Sequence, residues 1–180
     1  MLKNHRLLAP VLAALPAAAF LGLPGVASAS GTAGAVYVLT NQTSGNAVVA
    51  YARHADGTLA ALGSFSTGGV GTGGGLGSQG AVTLSGDGRH VFVVNAASNT
   101  VSTFTLQGRQ AVLTSVVDSG GLQPISVTES DGIVYVLNAQ GAGNIAGFRN
   151  VDGTLQPLAD GVRPLSAAGG TGPAQVGFGR

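Results

Sequence analysis

Catalysis needs side chains that ionise, attack or bind metal, and this sequence offers few of them. Cysteine is absent, which removes thiol nucleophiles, thiolate-bound zinc, iron–sulfur clusters and disulfides. Beyond residue 5 there are two histidines, His54 and His90, each following an arginine. Both read as solvated turn residues, and two are too few for a multi-histidine metal site. Glu129 falls on an expected inner strand. It is the one acid placed to act as a catalytic acid or base, turned either into a central channel or towards Asp131. Arg163, in Arg163-Pro164-Leu165-Ser166, either meets an anionic ligand or holds a turn. Gly69 to Gly74 and Gly75 to Gly80 both fit G-x-G-x-x-G. That pattern cradles a pyrophosphate only where a helix follows, and here a β-type run follows, so no cofactor is expected. There is no G-x-S-x-G nucleophile elbow.

What positions these residues must be β structure. Of 180 residues only 8% are charged, against about 25% in ordinary soluble domains. The 31 glycines follow no three-residue period, which excludes collagen. A net charge of +1 and 5% aromatics leave neither a basic footprint nor a stacking platform for nucleic acid. Residues 1–29 read as a secretory signal peptide. Lys3, His5 and Arg6 form the basic head, 7–23 is the apolar run, and Ala27 and Ala29 are the small residues before cleavage after Ala29. The run is expected to be a helix before removal. It is short for a span and broken by Pro10 and Pro16, so no membrane attachment is expected after cleavage. The expected location is secreted or periplasmic. The remainder, 30–180, carries six arginines, no lysine and seven acids, a formal charge of −1.

That remainder repeats. Val36-Tyr37-Val38-Leu39-Thr40 returns as Val91-Phe92-Val93-Val94-Asn95 and as Val134-Tyr135-Val136-Leu137-Asn138, at spacings of 55 and 43 residues. A second run follows each copy, starting at Asn46, Asn99 and Asn144. Asp-Gly pairs at 56–57, 87–88, 131–132 and 152–153 mark tight turns. Short β-rich runs repeating at this length predict propeller blades. The expected strands are 35–40, 46–53 and 58–65 in a first blade lacking its inner strand. The second blade has 81–85, 90–95, 99–106 and 111–118, and the third 125–129, 133–138, 144–149 and 154–160. A further inner strand is expected at 174–178. The reading is all-β: about three four-stranded antiparallel blades, one domain over 30–180. Closed propellers need about 4 to 8 blades. The open blade edges therefore suggest pairing between two copies of the chain, a homodimer.

Propeller geometry sorts the loops onto two faces. The channel mouth gathers amides, among them Asn41, Asn46, Asn95, Asn99, Gln123, Asn138, Gln140 and Asn144. Charged residues collect on the opposite turns, including Arg53, Asp87, Arg89, Arg109, Asp131 and Asp152. Amides donate hydrogen bonds but cannot act as a base. Asn95, Asn138 and Gln140, together with Arg163, are the ligand-binding candidates, the alternative being that these amides only cap turns, and no metal is called for.

The runs at 134–139, 144–148, 152–155, 163–166 and 172–178 together resemble the lactonase-type propeller family, which includes bacterial 6-phosphogluconolactonases and carboxymuconate cyclases. The resemblance covers 34–180. It implies a seven-bladed propeller about twice this length, hence a truncated chain, and it implies lactone hydrolysis, with a small lactone or sugar-like molecule as ligand. Members typically carry Gly-Pro-Arg-His before an inner strand and Asn-Glu after the next. Here the matching residues are Gly77-Ser78-Gln79-Gly80 and Asn95-Ala96, so the family's Arg, His and Glu are replaced and only Asn95 carries over, as a framework residue. Three readings follow: a lactonase-like hydrolase, a non-catalytic propeller binding a ligand or protein at its mouth, and a truncated product without an independent role.

Overall fold

The computed structural model describes residues 31–165 and 172–179. The expected signal peptide and its cleavage point lie outside these residues.

Eleven strands form three antiparallel sheets among the described residues. Blade 1 is β1 (Thr32–Leu39), β2 (Ala47–His54) and β3 (Leu59–Ser66). Blade 2 runs from the inner strand β4 (Val82–Leu84) through β5 (His90–Asn95) and β6 (Thr100–Gln107) to β7 (Gln110–Asp118). Blade 3 repeats this with β8 (Leu122–Ser130), β9 (Ile133–Gln140), β10 (Asn144–Val151) and β11 (Thr154–Pro164). Among the described residues blade 1 has no inner strand, as the repeat predicts. The boundaries move at the ends: β1 starts at Thr32, β8 at Leu122, and β11 runs on to Pro164.

Blades hold together through their faces. All six residues of β5 are buried, because blade 2 is covered on both sides. Val91 and Val93 pack with Val48 and Phe104 in the seam with blade 1. Phe92 and Val94 pack with Val134, Val136 and Phe148 in the seam with blade 3. Burial on both faces explains the unbroken apolar run of β5, whereas β2 is buried only at alternate residues. Each of these side chains contributes about 1.5–3 kcal/mol by leaving water, so the seams outweigh any single polar contact. The hairpin joining β8 to β9 turns on Asp131 (φ 51°) and Gly132 (φ 77°). Both are left-handed, which a two-residue turn needs in order to match strand twist.

The expected strand at 174–178 does not form. The segment lies against blade 3, where the Val176 amide donates to Ser126 Oγ at 3.3 Å. The Phe178 ring meets Tyr135 at 5.7 Å. One blade earlier, the Val127 amide donates to the Gly80 carbonyl at 2.7 Å. The segment thus sits where another inner strand would pack. A strand also needs a neighbour for its backbone ladder, and among the described residues none lies beside it.

Candidate functional site: the amide-lined mouth

Asn95 ends β5 at the mouth and is fully buried. Its Nδ2 donates to Ser102 Oγ (2.8 Å) and Thr100 Oγ1 (3.1 Å). Its Oδ1 accepts from Thr67 Oγ1 (2.7 Å) and Asn46 Nδ2 (3.0 Å). Two donors and two acceptor sites are all occupied, so the side chain latches blade 1 to blade 2. The approach is close enough to require glycine at 69, where a Cβ would fall 2.4 Å from Asn95 Cγ.

Asn138 holds the matching place in blade 3. Its Nδ2 donates to the Ser119 carbonyl (2.9 Å) and Asn144 Oδ1 (2.7 Å). A Cβ at Gly121 would fall 2.7 Å from Asn138 Cβ. This latch is less complete: among the described residues Asn138 Oδ1 is buried without a partner, because the Ser119 hydroxyl donates to the Gly121 carbonyl instead (3.2 Å). The sequence did carry a signal for both latches. Thr67-Gly68-Gly69 and Ser119-Gly120-Gly121 are a repeated Ser/Thr-Gly-Gly. The structure also shifts one motif. Asn144 pairs across from Asn138, as Thr100 does from Asn95, so Asn144 corresponds to Thr100 and not to Asn99.

Above the latches lies a cleft of about 210 Å³, walled by Thr72, Asn99, Leu122, Gln123 and Gln140 and by Ala96-Ala97. Asn99 Oδ1 accepts from the Gln123 amide at 2.8 Å and so fixes that residue at φ 54°. The glycine-rich loop is pinned as well. Asn41 Nδ2 donates to Thr72 Oγ1 (2.9 Å), Asn41 Oδ1 accepts from the Thr72 amide (3.0 Å), and the Val70 amide donates to Ser98 Oγ (3.1 Å). The loop then enters β4, a strand. Among the described residues lining this cleft none titrates near neutral pH.

The sequence candidates are therefore dispersed. Gln140 lines the cleft, joined by Asn99 and Gln123. Asn95 and Asn138 are buried beneath it. Arg163 is exposed on β11 and donates through Nη1 to the carbonyls of Asp160 (2.5 Å) and Val162 (2.8 Å) in its own strand. Glu129 is at the other end of β8, turned to the hairpins. Its Oε1 accepts from the Gly132 amide (2.7 Å) and its Oε2 from the Gly86 amide (2.8 Å). It borders a cavity of about 320 Å³ on the turn face with Asp87, Arg89, His90 and Asn150.

His90 corrects the sequence reading. It is 4% exposed, not solvated. The Ser85–His90 turn tucks it into the seam, the His90 amide donating to Ser85 Oγ at 2.9 Å, and its Nδ1 lies 3.3 Å from Asn150 Nδ2. His54, at the end of β2, is half-buried. Asp87 pairs with Arg89 at 2.8 Å. The Ser85 hydroxyl, then the Arg89 amide and guanidinium, hold its carboxyl well below the usual range. Among the described residues no group of three or more His, Asp or Glu is placed to hold a metal ion.

Three radially packed antiparallel sheets, with loops converging on a common mouth, define a section of a β-propeller. The sequence profile of the family described as lactonase, 7-bladed β-propeller, matches residues 28–167, and the chain belongs to that family. Among solved structures it is similar to the periplasmic gluconolactonase of Pseudomonas aeruginosa, at 20% identity and TM-score 0.54, covering 81% of this chain and 42% of that one. A protein of unknown function from Desulfotomaculum acetoxidans shares 23% identity and TM-score 0.54, covering 66% of this chain and 35% of the other. At these identities the likeness is one of fold. No curated protein matches the chain in sequence.

Proposed function

We propose that this is an exported lactonase-family propeller whose mouth binds a small neutral, oxygen-rich molecule, lactone or sugar-like, without turning it over. The observation that carries this reading is the cleft at Asn99, Gln123 and Gln140, where neutral amides offer donors and acceptors and no base. Lactone hydrolysis needs a base for water and a donor or cation for the oxyanion. Glu129, the candidate acid, belongs to the opposite face, with both oxygens occupied by backbone amides. Export is supported by the basic head, apolar run and Ala27-x-Ala29 at the start of the chain. A second reading, hydrolysis, draws on family membership and on the gluconolactonase likeness.

The test is proton NMR of D-gluconolactone with the purified protein. Saturation transfer to the sugar protons, lost in Gln123→Ala and Gln140→Ala, with hydrolysis at the spontaneous rate, is the expected result. Turnover well above the spontaneous rate would favour the second reading. Loss of that turnover in Glu129→Gln would then place the site on the turn face.

A further inference from the structure

The seam between blades 1 and 2 opens on the turn face into a cleft of about 500 Å³. Ligand pockets typically measure about 300–1,000 Å³. Register explains the opening. Ala35 pairs with Ala52 and Tyr37 with Ala50 on the face of blade 1 turned to blade 2. In the next seam the corresponding face of blade 2 carries His90 opposite Thr105 and Phe92 opposite Thr103. Where the first seam has two alanines, the second has imidazole and threonine, and the cavity left there is smaller, about 320 Å³, and bordered by Asp87, Arg89 and Glu129. Most lining side chains are apolar, Ala35, Ala52, Leu62, Leu84 and Leu106 with the Tyr37 ring, beside Thr32 and glycine backbone. Tyr37 is desolvated enough for burial to push its hydroxyl pKa up. A narrow extension, bordered by Phe65 and Ala111, continues the cleft inward.

One charged group lines it. Arg109 stands in the β6–β7 hairpin at the rim, and no carboxylate is among the described lining residues. Arg89, by contrast, is neutralised by Asp87. A guanidinium at the mouth of an apolar slot, with no acid beside it, matches a molecule with an apolar body and one carboxylate, because the planar fork binds a carboxylate through two hydrogen bonds. We propose that this cleft is a binding site for a small apolar carboxylic acid, with its hydrocarbon against Ala35, Ala52 and Leu106 and its carboxylate on Arg109. The site is distinct from the mouth and stands whether or not the mouth binds a lactone.

The probe is decanoate, with decanol as the uncharged counterpart, titrated into isotope-labelled protein and followed by amide NMR shifts. Saturable shifts confined to the start of β1 and the β6–β7 hairpin are expected, leaving the Gln123 and Gln140 amides unmoved. Arg109→Gln, in an exposed turn, should weaken decanoate by roughly ten- to a hundredfold, as loss of a charge-assisted pair does. It should leave decanol almost unchanged. Ala35→Leu, projecting into the cleft, should abolish both, and Ala52→Leu repeats that test from the opposite strand. Absence of saturable shifts, shifts centred elsewhere, or an Arg109→Gln effect equal for acid and alcohol would overturn the proposal.

Discussion

The two seams share one plan and part company along their length. At the mouth end each is closed by an asparagine at the end of a second strand, pressed against a glycine from the preceding blade: Asn95 on Gly69 and Asn138 on Gly121. At the turn end the first seam is lined by Ala35 and Ala52 and stays open. In the second seam buried His90, which faces Asn150, takes that place, and the cavity left there is smaller, about 320 Å³, and bordered by Asp87, Arg89 and Glu129. The latches fix how blades meet, and side-chain volume at the far end is free to diverge. New chemistry is therefore more easily built at the turn end than at the latches, where a backbone contact leaves no room for a side chain.

The largest expected effect lies in the second seam. Phe92→Ala should cost about 3–5 kcal/mol in a urea titration, as truncation of a fully buried phenylalanine does. Tyr37→Ala, at the matching place beside the cleft, should cost clearly less, because Tyr37 already borders open space. Equal losses would show that the cleft is closed in solution. Next comes the latch. Asn95→Ala leaves one buried N–H of Asn46 without its acceptor, returns the Thr67 hydroxyl to the Asn46 carbonyl alone, and frees the Ser102 and Thr100 hydroxyls of a donor. It should cost about 1–3 kcal/mol. Asn138→Ala should cost less, since one of its atoms is already unpaired. Gly69→Ala should lose about 1–3 kcal/mol through overpacking on Asn95. A neutral outcome would mean that the blades can separate slightly without penalty.

The strands and blades were legible because three copies of one motif align and because Asp-Gly pairs punctuate them. Asn95 was legible as a framework residue, and burial with four partners gives that role its physical content. The cleft was not legible. Ala35 and Ala52 are 17 residues apart in sequence, and only strand register puts them opposite each other. His90 was misplaced because an Asp-Gly turn with a neighbouring arginine suggests solvent. Burial there depends on how blade 3 closes over the turn. The segment at 174–178 has strand composition, yet strand formation depends on a neighbour that composition does not report.

The smallest expected effect is at the turn face. The depressed carboxyl of Asp87 means that its contribution to stability is present above the unfolded value, about pH 3.9, and is lost as pH falls towards the folded one. Asp87→Asn should flatten the acid limb of the stability profile slightly, because the pair with Arg89 is exposed. Thermal melts between neutral and acid pH check this. An unchanged acid limb would show that the Ser85–Arg89 turn is held by its backbone alone.

Binding at the mouth, as proposed, would rest on its neutral amides. The most direct measurement is saturation-transfer NMR of the lactone with the wild-type protein and the Gln123→Ala, Gln140→Ala double variant, with hydrolysis followed in the same tube. Transfer is expected with the wild type and none with the variant, with identical spontaneous hydrolysis in both. Transfer that survives the double substitution, or hydrolysis accelerated by the wild type, would contradict it.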